Sequence, residues 1–480
     1  MPSLKNILMI AYGFPPEGNA GAYRPLRFVR QLPHYGWMPT VVSAIPSQYE
    51  RYDPALLGLV PDNIEVIRIT AGDPWQTFQA WRSRRVRNGL SSQREKSISG
   101  RQNGQQRSLR GWLRDRVRSL EASWYRPDMA MPWIEPAVDA AVRRCQRGPI
   151  DVIWATAGPV SSFLVAQKSS VSTGVPYVLD FRDAWTITYN KFEASRPSWA
   201  KRLARRTMYQ LLKGARAVVF RYDTEAECFW RAYRGALDAS RIYIIPNGYE
   251  SPVEEFIAPD GDKCTILYAG TLPDYRYDTL LAALSVLKQT DPGRAKQLRL
   301  SFIGEGMDAL AREAAALGLS DMIQTEGPKP YAEIVTLQRE AHALLVLGRP
   351  PTMKGYELFV GAKLFGYLKA GQPIVGVLPQ DETKKILQRA CVRTLADVDS
   401  VAEIMTMLRE VIDNWSKGTL ASLAPDRKAC EAYSSERQTG ILVRALEGLP
   451  PEEPFVPGAH AIPPSLRATI EHGEWLNEAG

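Results

Sequence analysis

Two runs of alternating strand and helix patterns, separated by a polar break, constrain this chain more than any other feature. Short apolar, β-rich runs recur at Ile7–Tyr12, Thr40–Ala44, Asp151–Ala155, Pro176–Phe181, Ala217–Phe220 and Arg241–Ile245. Helical patterns lie between several of them, at Ala22–Leu32, Val160–Ser172, Trp199–Lys213 and Thr224–Tyr233. Strand and helix in strict alternation imply a mostly parallel sheet covered by helices on both faces. Pro246-Asn247-Gly248 is a turn signal, and polar Ser251–Asp262 reads as an interdomain linker. The alternation then resumes. Strands are expected at Thr265–Ala269, Leu298–Ile303, Ala343–Leu347 and Pro373–Val377, with helices at Tyr277–Gln289, Met307–Leu317, Tyr331–Glu340 and Ala362–Ala370. The fold class is therefore α/β, with two doubly wound parallel-sheet domains over 1–250 and 263–425. A C-terminal helix and proline-rich tail occupy 426–480. Such domains in tandem bind ligand in a central cleft between their strand C-terminal ends.

A length of 480 residues suits two cores rather than one. No run of about 18 apolar residues is present, so no membrane-spanning helix is expected. The apolar run Ile7–Ile10 is too short for a signal-peptide core and reads as a first buried strand. Cys145, Cys228, Cys264, Cys391 and Cys430 are scattered, and they share no metal spacing with His34, His342, His460 and His472. A reducing, cytoplasmic setting without a metal is expected. The net charge of +8 is local: between Arg82 and Arg118, twelve Arg/Lys face two acidic residues, which leaves the rest close to neutral. That distribution argues against a general nucleic-acid-binding protein.

Candidate site residues gather at the ends of the expected strands. Gly13-Phe14-Pro15-Pro16-Glu17-Gly18-Asn19-Ala20-Gly21 joins the first strand to its helix, where glycines admit a close ligand and helix N–H groups face an anion. It is neither GxGxxG nor a Walker loop. Asp180-Phe181-Arg182-Asp183-Ala184-Trp185 follows a buried strand and places Asp183 at the rim; the competing reading is an internal Arg–Asp pair. In the second domain Gly270 and Thr271, Gly304 and Glu305, and Gly327 each follow a strand, and Arg276 comes six residues after Gly270. Lys363 opens a helix and could meet a phosphate there.

Taken in order, six motifs resemble glycosyltransferase family 4, the members that build bacterial surface polysaccharides in particular. They are Phe-Pro-Pro with spaced glycines, Asp-Phe-Arg-Asp-x-Trp, Ile-Pro-Asn-Gly (Ile245–Gly248), Tyr-Ala-Gly-Thr-Leu (Tyr268–Leu272), Ile-Gly-Glu-Gly (Ile303–Gly306) and Lys-Leu-Phe-x-Tyr-Leu-x-Ala-Gly-x-Pro-Ile (Lys363–Ile374). The resemblance implies a GT-B fold of two Rossmann-like domains and a retaining, metal-independent sugar transfer without a cofactor. The nucleotide-sugar donor would sit on the second domain and a glycan or lipid-linked acceptor on the first. It further implies that Gly18 and Gly21 line the cleft near the donor diphosphate, that Arg276 stands at a phosphate-binding lysine position, and that Lys363 is the lysine of the Lys-Leu-Phe motif.

The chain departs from the family pattern at three places. Thr271 stands where an arginine is frequent. Gly366 stands where a ribose-binding glutamate is usual, and Glu357 lies nine residues before it instead of eight. Thr156 stands near the position of a cleft histidine. Leaving-group stabilisation in such enzymes is mostly electrostatic, and Arg276 and Lys363 retain the capacity for it. The alternatives are a catalytically degenerate scaffold for polysaccharide assembly, which the departures favour, and a nucleotide-sugar epimerase, for which the chain is poor in acid/base candidates. Arg82–Arg107 reads as a basic insertion. Ser108–Tyr125 reads as a helix with Leu109, Trp112, Leu113, Val117, Leu120 and Trp124 on one face and Arg110, Arg114 and Arg118 off it. The segment Arg82–Trp124 is expected to dock the chain peripherally on the anionic inner face of the cytoplasmic membrane; the competing reading packs Trp112 and Trp124 on the first domain with the arginines solvated.

Overall fold

The computed structural model describes residues 4–71, 127–187, 198–250, 252–350 and 355–471. The basic insertion 82–107 and the expected helix 108–125 lie outside the described residues. Two compact units emerge. One is Met1–Ile245 with Thr439–Ile462 and the residues from Arg467; the other is Pro246–Gln438 with Pro463–Leu466. The stretch expected as a linker falls within the second unit. Hydrogen bonds tie it there: Glu254 N donates to Lys369 O at 2.8 Å, and the Gln372 side chain donates from Nε2 to Ile257 O at 3.2 Å.

The first unit contains β1 (Lys5–Ile10), α1 (Ala20–Gln31), β2 (Trp37–Ala44), β3 (Glu65–Ile69), α2 (Ile134–Arg147), β4 (Val152–Thr156), α3 (Ser161–Thr173), β5 (Tyr177–Asp180), α4 (Ser198–Gly214), β6 (Ala217–Phe220), α5 (Asp223–Ala232) and β7 (Ile242–Ile244). The strands pair in parallel in the order β3-β2-β1-β4-β5-β6-β7. Because helices cover both faces, a central strand buries residues of both orientations. Ile7, Leu8, Met9 and Ile10 of β1 are accordingly all fully buried. The order reverses between β1 and β4, so the loops after these two strands form the crevice where open α/β sheets take ligands.

The second unit follows the same logic. Its elements are β8 (Cys264–Ala269), α6 (Asp278–Thr290), α7 (Pro292–Gln297), β9 (Leu298–Ile303), α8 (Met307–Ala316), β10 (Ile323–Glu326), α9 (Tyr331–Glu340), β11 (Ala343–Leu347), α10 (Lys363–Ala370), β12 (Ile374–Leu378), α11 (Glu382–Arg389), β13 (Leu395–Asp397), α12 (Val401–Ser416) and α13 (Arg427–Cys430). The strands pair in parallel in the order β10-β9-β8-β11-β12-β13, and the reversal lies between β8 and β11. Its core joins Ile266, Tyr268, Leu284, Leu300, Leu345 and Val375 to Ile404, Leu408 and Val411 of α12. Two further helices close the described chain, α14 (Ser435–Glu447) and α15 (Pro464–Glu471). Leu442, Ala445 and Leu446 of α14 belong to the core of the first unit. The proline-rich stretch before α15 carries no regular element, yet Phe455 and Ile462 are buried, and Gly458 N donates to Glu227 Oε2 at 2.8 Å.

Candidate functional site

In the first unit the Asp-Phe-Arg-Asp cluster divides its labour. Asp180, the last residue of β5, is fully buried and takes Arg24 of α1 in a bidentate pair, Nε to Oδ2 at 2.8 Å and Nη2 to Oδ1 at 2.7 Å. Thr156 Oγ1 donates to Asp180 Oδ2 at 2.9 Å, and Arg24 Nη2 also reaches Ile245 O at 2.9 Å. One buried charge pair thus fastens α1, β4, β5 and the end of β7. The partner of Asp180 is Arg24, from outside the cluster. Phe181 is buried against Phe163, Phe220 and Phe229. Arg182 turns back over the crevice. Its Nε donates to Ala157 O and its Nη2 to Gly158 O at 2.7 Å. Burial lowers this guanidinium below its ordinary value, opposed by the charges of Asp183 and Asp180. A Cβ on Gly21 or Gly158 would displace the Arg182 guanidinium, and Gly158 also sits at φ 92°, a backbone conformation that favours glycine. Asp183 is exposed.

The loop after β1 adds a group that motif reading passed over. The Glu17 carboxylate folds against Gly13, accepts from Asn19 Nδ2 at 2.9 Å and feels the Arg182 charge. Burial pushes it above the usual carboxylate range despite both. Gly18 packs beside Asp53, and its N–H donates to Arg51 O at 3.1 Å. This loop therefore stands where the sheet order reverses, with Gly21 beneath Arg182.

In the second unit Lys363 heads α10 with its Nζ shut off from solvent and without a hydrogen-bond partner among the described residues. The ammonium rests 3.4 Å from the ring centre of Tyr268 and 4.5 Å from that of Tyr275. Desolvation holds its pKa well below the ordinary lysine value. Gly270, at the end of β8, lies against the Lys363 side chain at φ 143°, and a Cβ on Gly304 would collide with Gly270 O. These two glycines let the loops after β8 and β9 touch. Thr271 is exposed, and its carbonyl accepts from Tyr268 Oη at 2.8 Å.

The other expected donor contacts are placed differently. Arg276 is paired with Asp278 at 3.1 Å and with Asp399. Hydrogen bonds donated to these two carboxylates hold its guanidinium above the ordinary value. Glu305 is exposed, and its carbonyl accepts from Leu272 N at 3.0 Å. Gly327 follows β10, the edge strand, two strands away from the reversal. Glu357 is buried and accepts from both Ser465 N and Ser465 Oγ. The sheet therefore brings Lys363, Gly270, Thr271 and Gly304 together, leaves Gly327 apart, and engages Arg276 and Glu357 with other side chains.

The sequence over 20–248 matches the family model described as "Glycosyl transferase 4-like domain". Over 95 residues the chain is 34% identical to D-inositol 3-phosphate glycosyltransferase of Frankia alni; the match spans 18% of the chain and 23% of that relative's length. Among solved structures it resembles a sucrose-phosphate synthase of Thermosynechococcus elongatus, with TM-score 0.55, 14% identity, and 92% of this chain and 99% of the other covered. It also resembles the lipopolysaccharide outer core galactosyltransferase WaaB, with TM-score 0.53, 13% identity and coverage of 92% and 99%. An E. coli trehalose-6-phosphate protein bound to UDP-2-fluoro glucose gives TM-score 0.54 at 11% identity, with coverage of 93% and 100%. These likenesses show the fold alone: two parallel-sheet α/β units of the GT-B class.

Proposed function

We propose that the chain is a retaining, metal-independent glycosyltransferase that moves a sugar from a nucleotide-sugar donor to a glycan or lipid-linked acceptor in surface polysaccharide assembly. The observation that carries this reading is Lys363, whose buried ammonium is cushioned by Tyr268 and Tyr275 and has no hydrogen-bond partner among the described residues. A cation kept unneutralised at that place suits the charge that develops on a departing nucleoside diphosphate. In the proposed step the bond between the anomeric carbon and the diphosphate oxygen breaks. The acceptor oxygen bonds to that carbon on the same face, and the hydroxyl proton passes to the leaving phosphate. Lys363 meets the diphosphate, Arg276 adds a share limited by Asp278 and Asp399, and Asp183 lines the acceptor side. Isothermal titration with UDP, GDP and ADP tests the reading: one of them binds, and Lys363→Ala weakens it by about 1.5–3 kcal/mol, the range for a charge-assisted bond.

A catalytically degenerate scaffold is the second reading. Engagement of Glu357 by Ser465, together with glycine at 366, favours it. Absence of binding by all three nucleotides is its signature.

The cytoplasmic, peripheral-membrane part of the proposal rests on α4. This helix carries Lys201, Arg202, Arg205 and Arg206 with no acidic residue, and it exposes Trp199 and Leu203. Basic side chains beside exposed apolar ones suit an anionic lipid surface, each cation contributing about 1 kcal/mol.

A further inference from the structure

The donor reading calls for a second cation beside the leaving diphosphate, and the usual arginine position is occupied here by Thr271. Arg349 is a cation just beyond the strand that neighbours β8. It is the second residue after β11, and β11 pairs with β8 through Ala343↔Ile266 and Leu344↔Leu267. Residues following these two strands converge because the sheet order reverses between them. Backbone bonds fix the turn: Gly348 N donates to Val377 O at 2.8 Å, and Gly348 O accepts from Arg276 N at 3.0 Å.

The Arg349 guanidinium lies 3.4 Å from the ring centre of Phe359 and 5.8 Å from that of Tyr275. Tyr275 is the ring that also faces Lys363, at 4.5 Å. Asp274 Oδ2 is 3.7 Å from Arg349 Nη2, beyond hydrogen-bond length. Arg349 Nε is buried with no hydrogen-bond partner, as is Lys363 Nζ. Both cations line one pocket with Tyr275, Phe359, Asp381 and Thr383. Asp381 would cancel charge there only if ionised. Burial pushes its carboxyl up to about 7, against the hydrogen bond from Lys384 N. Arg276, by contrast, is already matched by two carboxylates.

We infer that Arg349 is a donor-binding residue that contacts the diphosphate of the nucleotide sugar, taking the place of the arginine absent at position 271. The inference rests on the donor reading above and adds a contact to it. A planar guanidinium stacked on a ring keeps its edge N–H groups in a fixed fork, the geometry that suits phosphate oxygens. Aromatic faces hold the two cations in place, and Asp274 meets Arg349 only at ion-pair range, 3.7 Å.

The test compares nucleoside diphosphate with the matching monophosphate by isothermal titration, using whichever of UDP, GDP or ADP the full-length protein binds. Arg349→Met keeps an apolar stem on Phe359 and removes the charge. Diphosphate affinity is expected to fall about 10–100-fold, the equivalent of a charge-assisted contact, while monophosphate affinity stays within about twofold. Arg349→Lys retains a point charge and loses less. Adding Thr271→Arg to Arg349→Met restores diphosphate affinity, which a merely structural role for Arg349 would not allow. Diphosphate affinity unchanged in Arg349→Met, with Lys363→Ala weakened, overturns the assignment of Arg349 and spares the donor reading. Equal losses for mono- and diphosphate, or no rescue by Thr271→Arg, also overturn it. Wild-type protein that binds none of the three diphosphates overturns the donor reading itself. If Arg349→Met does not fold, Arg349→Lys decides: unchanged diphosphate affinity together with an unchanged ratio to the monophosphate refutes the contact.

Discussion

Replacing Lys363 by methionine should make the second unit more stable and the protein a poorer nucleotide binder. The stability term is a balance. An ammonium buried without a hydrogen-bond partner costs about 1–3 kcal/mol or more, and its seat 3.4 Å from Tyr268 and 4.5 Å from Tyr275 returns about 0.5–2 kcal/mol. Methionine fills nearly the same volume, and its sulfur gains about 0.3–1.5 kcal/mol against the rings. The net expectation is a gain of about 1–2 kcal/mol, read as a higher urea midpoint with unchanged slope. Nucleoside diphosphate affinity should fall about 10–100-fold. The pH dependence has a definite sign. The folded pKa of Lys363 is depressed below the ordinary 10.5, so between those two values the unfolded chain binds more protons than the folded one. Wild-type stability therefore climbs across that window as pH rises, and the contribution is lost as pH falls through the folded value. The advantage of Lys363→Met is full below the window and gone above about 10.5. A variant that is less stable at neutral pH and binds nucleotide normally would refute both halves of the reasoning.

Four further outcomes follow from the same geometry. Asp180→Ala strands the buried Arg24 charge and should cost about 3–5 kcal/mol in urea unfolding; a loss below about 1 kcal/mol would mean the pair is solvated. Asp183→Asn should slow transfer far more than it lowers nucleotide affinity, whereas full activity with a lower melting temperature would make Asp183 structural. Gly366→Glu has open space around its new side chain. It should raise helix stability by about 0.5–1 kcal/mol and donor affinity by about 1–3 kcal/mol, and unchanged affinity in titration would place the ribose away from α10. Wild-type protein should co-sediment with anionic vesicles at low salt and release at high salt. Combining Trp199→Ala, Arg202→Glu and Arg206→Glu should abolish pelleting, and equal pelleting of both proteins would reject the α4 surface.

The sheet class was legible because buried parallel strands are continuous apolar runs, and Ile7–Ile10 or Ala343–Leu347 can scarcely be anything else. Strand β3 hides its nature, since Glu65 and Arg68 interrupt an edge strand that needs only partial burial. Helix α2 carries Ile134, Ala137, Val138 and Ala141 at helical spacing, so the periodicity that places α1 places it too. The site was legible only in outline. Asp180 and Asp183 are the same residue type three positions apart, and only the path of α1, which brings Arg24 to one of them, separates clamp from rim. The carboxylate of Asp399 reaches Arg276 across 123 residues, a pairing no local motif encodes. Arg349 belongs to no motif and acquires meaning once β11 is known to lie beside β8.

Cushioning two cations on tyrosine and phenylalanine makes the fold of the second unit open-ended, because part of its electrostatic work is completed by whatever anion arrives. A ligand that binds the folded protein alone adds about 2.7 kcal/mol of stability at a hundredfold excess over its Kd. The melting temperature of this protein is accordingly a property of its solution as much as of its sequence. Phosphate or sulfate in a buffer would act as a silent ligand, raising apparent stability and competing with the very nucleotides a titration seeks. Were the proposed nucleotide sugar that anion, its scarcity would by the same linkage shorten the protein's lifetime against proteolysis.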